Sequence, residues 1–410
     1  MRSVLFILAL LFPIGNVPLH SQDQKPPAPG HYLFVWCGDA AGKGNDFLAV
    51  IDADPSSASY GHLITTLATD QQTMRVHHTE YTMPASAMLF ANDHDAGRTF
   101  IFDLHDPRHP TIATSFTDMA GYMHPHSYVR LPNGHVLATF QHAHHGAADE
   151  PLGMTGGLVE IDDPGTVIRS AGNADPEFAG ALLTPYSLVV LPELDRIVST
   201  NSSMHLEEIF AGVTYQVWRL SDLKLLKTAY FDVGENHYAQ ISPEEPRLAP
   251  DGSILVQTLG CGLERITGVN TDTPTSQLVY TFPGNWCGVP SIVGHYLVQS
   301  AGAMHGLIVL DIANAGKPVE ISRLKLTDTY QPHWTAWDTK TQRIVVTSSL
   351  TPGAPVERLY LMKLDPATGT LTLDDTFRDS DGKVGFGFAD RQWPHGWTGS
   401  ALPHGAVFSR

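Results

Sequence analysis

Residues 47–67 read FLAVIDADPSSASYGHLITTL. An apolar run ends at Asp52, the chain breaks over Pro55 and the serines that follow, and a second run leads away from Gly61. That is a strand, a turn and a strand. The pattern returns six times: TFIFDLHDPRHPTIATSF (99–116), GGLVEIDDPGTVIRSA (156–171), YQVWRLSDLKLLKTAYF (215–231), LERITGVNTDTPTSQLVYTF (263–282), GLIVLDIANAGKPVEISRL (306–324) and LYLMKLDPATGTLTLDDTF (359–377). Spacings of roughly 45 to 60 residues are those of propeller blades. Each copy is preceded by another strand, such as HYLFVWCGD (31–39) or RIVVTSSL (343–350), and upstream again lies a further short run. The unit therefore has four strands, A to D, with A innermost. The expected fold is all-β: a seven-bladed β-propeller forming one domain over residues 31–410. The domain opens on a B strand at His31–Asp39 and closes on an A-type run, PHGAVFSR (403–410). That last run is expected to join the N-terminal blade as its inner strand, which removes an open sheet edge.

The A runs carry a repeated histidine. By alignment it is His78 in HHTEYTMP, His126 in PHSYVRLP, His333 in PHWTAWD and His404 in PHGAVFS. Equivalent positions in blades around an axis face one centre, so these four are expected to form a cluster of imidazoles able to hold a metal ion. The position holds Tyr186 in PYSLVVLP and Trp286 or Cys287 in another copy. His237 has an ambiguous register, because SPEEPRLAPDG (242–252) inserts extra residues. Further histidines, His94, His142, His144, His145, His205 and His305, fall at or past B-strand ends on the same face, with His77 and His124 beside the ladder and His395 before the last run. His94, His142, His144 and His145 read more simply as polar surface. For the ladder itself, the plain alternative is a hydrogen-bonding histidine in each blade. That needs a Ser, Thr or Asp partner at a fixed offset, and no regular partner stands out in the sequence.

Imidazole suits copper, zinc, iron and nickel, and the set is not the carboxylate-rich one that calcium or magnesium would need. Cys37, at a B-strand end, fits either a packed small residue or a reactive rim thiol. Cys261 and Cys287 fall in neighbouring repeats and can meet; whether they pair is open, and three cysteines cannot all pair within one chain.

Charge and composition exclude several classes. With 25 basic and 42 acidic residues the formal net charge is −17, and no Lys/Arg run supplies a local basic patch. Nucleic acid and anionic membrane surfaces are not expected partners. Arg2 followed by the apolar run Val4–Ile14 reads as a signal peptide over residues 1–21, and 22–30 as a Pro-rich leader, so a periplasmic or secreted protein is expected. No stretch is long enough for a membrane-spanning helix. There is no G-x-S-x-G elbow, Walker loop, G-x-G-x-x-G or C-x-x-C.

The segment FLAVIDADPSSASYGHLITTL followed by VHHTEY (76–81) resembles the opening of the selenium-binding protein family, which includes bacterial methanethiol oxidases. TFIFDLHDPRHPTI (99–112) resembles a further run of that family. The resemblance is close over residues 32–134 and looser from about 180. It implies a seven-bladed propeller and a copper centre built from histidines. His77 and His78 match the family's His-His pair, His126 the histidine of the next inner strand, and His404 a histidine near the C-terminus. Cys37 sits where family members carry the cysteine linked to selenium binding. The chain lacks several loops and a cysteine-rich segment that some members have.

Three functions are then open. The first is a copper-dependent oxidase of a small thiol with O2 as co-substrate, methanethiol oxidase-like. His78, His126, His333 and His404 would be its ligands, and His77 and Cys37 its candidate catalytic groups. The second is a metal-dependent hydrolase or lactonase with zinc as the less expected metal, and the third a non-catalytic metal- or selenium-binding propeller.

Overall fold

The computed structural model describes residues 30–410 except 74, 95, 144–153, 206 and 349–354. The signal-peptide and leader readings, and His144 and His145, lie outside the described residues.

Seven four-stranded antiparallel sheets follow one another along the chain. Their innermost strands are Val76–Thr79, Tyr122–Arg130, Pro185–Leu191, Pro243–Leu248, Ser291–Val293, Pro332–Asp338 and Ala401–Phe408. Blade 1 is numbered as the one closed by Ala401–Phe408, and blades 2 to 7 follow from Val76–Thr79 onward. The seven-bladed propeller is therefore observed, and so is its closure: Ala401–Phe408 pairs antiparallel with Tyr32–Asp39, from Leu33↔Phe408 to Asp39↔Ala401.

Burial explains the strand patterns. Tyr32–Asp39 and Phe47–Asp52 are buried along their whole length, because neighbouring blades cover both of their faces. The outermost strands alternate, as Val319–Lys325 does, because one face meets solvent. Apolar layers fill the gaps between blades. Leu33, Val35 and Ala406 of blade 1 pack against Trp334, Val345 and Leu361 of blade 7. Trp334 Nε1 donates to Ala406 O (2.8 Å) and His31 Nε2 meets Asp338 Oδ2 (2.7 Å), which fastens the seam where the ring closes.

Two features were not legible beforehand. A two-stranded hairpin, Arg391–Gln392 with Thr398–Gly399, sits between blade 7 and the closing strand. It places His395 against Phe47 (4.8 Å between ring centroids) and Thr66 Oγ1 (2.7 Å) of blade 1, so this histidine packs on outer strands rather than on the axis. The second is the pairing left open above: Cys261 and Cys287 form a disulfide linking blades 5 and 6, and Cys37 is the free thiol.

The disulfide spans 26 residues. By chain entropy a loop of that size stabilises the fold by about 3 kcal/mol. A Cys261→Ala, Cys287→Ala double variant is expected to unfold at lower denaturant with that loss of stability and an m-value no smaller than the wild type's, because the released loop lets the unfolded chain expand. An unchanged midpoint would show that the bond adds nothing.

Candidate metal centre

Most inner strands contain a bulge at the same height. Two residues there face one residue of strand B: His77 and His78 opposite Asn92, His126 and Ser127 opposite Thr139, Tyr186 and Ser187 opposite Thr200, His333 and Trp334 opposite Thr347, His404 and Gly405 opposite Trp36. The extra residue turns side chains toward the channel. This corrects the ladder by one residue. His77, not His78, is in register with His126, His333 and His404; His78 takes the position of Ser127, Ser187, Trp334 and Gly405. In blade 5 the bulged residue is Glu244, between the pairs Pro243↔Thr258 and Glu245↔Gln257. His237 is exposed in the preceding turn. In blade 6 neither Trp286 nor Cys287 takes the place: Trp286 is 54% exposed, Cys287 is in the disulfide, and the irregular residues are 288–290. A Cβ on Gly288 would lie 2.6 Å from His333 Nδ1, so glycine makes room for that ring.

A hydroxyl of the neighbouring blade holds the carbonyl of four of these bulges, and an amide holds the residue before a fifth. Thr139 Oγ1 donates to Tyr186 O (2.8 Å), Thr200 Oγ1 to Glu244 O (2.6 Å), Ser300 Oγ to His333 O (2.7 Å) and Thr347 Oγ1 to His404 O (2.7 Å). Asn92 Nδ2 donates to Pro125 O (2.8 Å). A regular partner therefore does exist, but it binds the ladder's carbonyls and leaves the imidazoles uncommitted.

Five imidazoles meet on the axis. Ligand atoms of His77, His78 and His126 lie within 4.8 Å of one another, and so do those of His77, His333 and His404. His77 belongs to both sets. Its ring centroid is 4.2 Å from His78, 4.6 Å from His126 and 4.2 Å from His404, and His333 is 4.6 Å from His404. All four histidines chosen from sequence are brought here, but they group through His77 rather than as one set of four.

The rings are oriented and, apart from His333, buried. His126 Nδ1 donates to Tyr186 O (2.7 Å), so Nε2 carries the lone pair. His78 Nδ1 is hydrogen-bonded to Ser127 Oγ (3.0 Å), with Glu245 Oε1 behind it at 3.8 Å. His77 Nδ1, His78 Nε2, His126 Nε2 and His404 Nδ1 are buried without a hydrogen-bond partner. Burial, and then the neighbouring imidazoles, hold His77, His78 and His404 well below the usual histidine range; burial does the same for His126, and it lowers His333 to about 4. All five are neutral near pH 7. His77, His78, His126 and His404 are buried, while His333 is half-buried and opens the cluster toward the rim.

Below the cluster lies a polar floor that the sequence did not reveal. Glu245 Oε2 accepts from Tyr81 OH (2.6 Å), Ser187 Oγ (2.9 Å) and Arg247 Nη1 (2.9 Å). Trp334 stacks on Tyr81 (5.1 Å) and meets His78 edge-on (5.0 Å). The only signal was PEEPR (243–247), which is blade 5's inner strand itself and not the insertion expected from the sequence.

Cys37 is corrected. It pairs with Pro403, beside the ladder, but its side chain is fully buried in the apolar layer between blades. Burial, with Asp46 adding to it, pushes its thiol well above the ordinary value. It is a packed small residue, with no thiolate to offer. His94 and His142 are buried rather than polar surface, while His124, His205 and His305 are half-buried, and His305 Nδ1 donates to Tyr330 O (2.9 Å).

No protein-family model matches the chain. It is 39% identical over 106 residues to a methanethiol oxidase of Hyphomicrobium sp, covering 25% of this chain and 24% of that protein. It is 28% identical over 146 residues to a methanethiol oxidase of Ruegeria pomeroyi, covering 34% and 32%. The chain thus spans about a quarter to a third of the length of the curated relatives it matches. Among solved structures, a hypothetical selenium-binding protein from Sulfolobus tokodaii aligns at TM-score 0.70 and 16% identity over 93% of this chain and 94% of that one. A periplasmic gluconolactonase of Pseudomonas aeruginosa aligns at 0.61 and 12% over 93% and 99%. At these identities the structural likeness is one of fold. The resemblance to the selenium-binding protein and methanethiol oxidase family, read first from the residues, is supported by these matches.

Because the folded cluster stays neutral where unfolded histidines, with pKa near 6.5, take up protons, its stability contribution is whole above that pH. It is lost as pH falls toward and through the lowered folded values. The metal-free protein is expected to lose stability steadily from about pH 6.5 to pH 4. His126→Asn keeps a donor for Tyr186 O and removes one proton from the balance. Its slope of stability against pH should be shallower by up to about 1.4 kcal/mol per pH unit. Equal slopes, measured by denaturant titration, would mean that His126 is charged in the folded protein.

Proposed function

We propose that the protein is an exported copper-dependent oxidase of a small thiol. It would convert methanethiol, O2 and water to formaldehyde, hydrogen sulfide and hydrogen peroxide. The observation that carries this reading is the pair of imidazole triads sharing His77, with four buried ring nitrogens left unpaired. The partial sequence match to methanethiol oxidases supplies the reaction class. The apparent signal sequence and the Cys261–Cys287 disulfide support an oxidising compartment, periplasmic or secreted.

The donor set fits copper. Neutral imidazoles are the ligands that ion accepts, and no carboxylate belongs to either triad. His77, His78, His126, His333 and His404 are the residues that would hold it. Bound copper supplies one-electron redox chemistry and a soft acceptor for sulfur, which zinc and imidazole alone do not offer. The chain's own part is to keep the lone pairs available. Burial keeps the rings neutral, and the Tyr186 carbonyl sets the His126 tautomer. Ser127 fixes the His78 ring, while the Trp334–Tyr81 stack and the Glu245 network seal the channel beneath it. A small apolar thiol would reach the cluster from the half-buried His333 side. Cys37 has no role at this centre.

The lactonase reading rests on likeness of fold alone and is separated by experiment. Copper-loaded protein given methanethiol in air is expected to consume oxygen and release sulfide in equal amounts, and to be silent without oxygen. Full copper occupancy without turnover would sink the oxidase reading. His77→Asn should weaken copper binding on the order of 100-fold or more, because both triads lose a member. His404→Asn leaves the other triad whole and should weaken it less. Equal losses in a competition titration would show that the triads do not share His77.

A further inference from the structure

Four histidines outside the central cluster stand in one line. His205, after the B strand of blade 4, has its ring 6.4 Å from His142 of blade 3. His142 is 5.4 Å from His124, His124 is 5.8 Å from His94 of blade 2, and His94 is 5.9 Å from His77 and 6.1 Å from His126. His205 and His124 are half-buried and His142 and His94 buried, so accessible and buried rings alternate along a line that ends against the central cluster.

Its parts are held in place. His124 has a left-handed backbone (φ 56°), uncommon for residues other than glycine but one that histidine adopts more readily than most. Gly97, itself in the left-handed region (φ 59°), lies against its ring. Gln141 bridges two blades: its Oε1 accepts from His94 Nε2 (3.2 Å), and its Nε2 donates to Ser202 O (3.1 Å). With metal–nitrogen bonds of about 2.0–2.1 Å, two imidazoles sharing one ion have centroids no more than about 6.5 Å apart. Every step in the line meets that bound. No three of these rim rings form a closed ligand set among the described residues. An ion would therefore be passed on rather than retained. The net charge of −17 favours the approach of a cation.

We propose that His205, His142, His124 and His94 form an entry path along which a copper ion passes, imidazole by imidazole, to the central histidines. The inference rests on the proposed copper centre. The test is uptake, not turnover. Metal-free protein is mixed with copper(II) in a stopped-flow instrument, the ligand-field absorption is followed, and desalted samples are analysed for copper. His142→Asn and His205→Asn are expected to load at least roughly tenfold more slowly, yet reach the wild-type copper content. His109→Asn, on an outer turn of blade 2, should load at the wild-type rate. Loading of both rim variants within about twofold of wild type would overturn the path while leaving the centre standing. A wild-type protein that takes up no copper would overturn both. Should His142→Asn fail to fold by circular dichroism, His205→Asn, at a half-buried position, decides the matter alone.

Discussion

The hydrogen bond from one blade's B strand to the bulged carbonyl of the next is the constraint on which the centre depends. Thr139, Thr200, Ser300 and Thr347 each make it, to Tyr186, Glu244, His333 and His404. It spends the hydroxyl on the backbone, so the side chain at the bulge is free to point at the axis. Closure of the ring completes the arrangement. His404 belongs to the last strand of the chain, yet it sits between His77 and His333 because Ala401–Phe408 returns to blade 1.

Four unpaired buried ring nitrogens are costly. A buried polar atom left without a partner costs about 1–3 kcal/mol, and four of them lie together here. A propeller with only a fold to maintain has no reason to hold five neutral imidazoles in contact. Neutralising burial, a fixed His126 tautomer and a sealed floor are also what a ligand set for a soft or borderline ion requires. The same chemistry continues outward at lower density along the rim, which joins the centre to solvent by one residue type.

Blade number and closure were legible in the sequence because strand–turn–strand repeats and the odd strand at each end are local signals. The convergence of histidines was legible because symmetry carries equivalent positions to one centre. The exact member was not. Adjacent His77 and His78 differ by one residue in register, and only the pairing Val76↔Asp93 and Thr79↔Ala91 decides between them. The regular hydroxyl, 13 or 14 residues after the ladder at Thr139, Thr200 and Thr347, did not stand out, because its partner is a carbonyl in the next blade, which no sequence offset shows. Glu245 and Arg247 were hidden because PEEPRL, the inner strand of blade 5, carries charged residues where the other copies are apolar or histidine-bearing and so did not read as a strand. The choice between the two readings of Cys37 was not legible, because a strand end in sequence does not reveal which face a side chain takes; Cys37 turns into the layer between blades.

The most direct test of the central claim is anomalous diffraction at the copper edge from crystals of the copper-loaded protein. The account predicts a dominant peak on the propeller axis, bonded to His77 and to neighbours from His78, His126, His333 and His404. A fully loaded crystal whose strongest peak lies elsewhere, with His77 making no bond to metal, would contradict it.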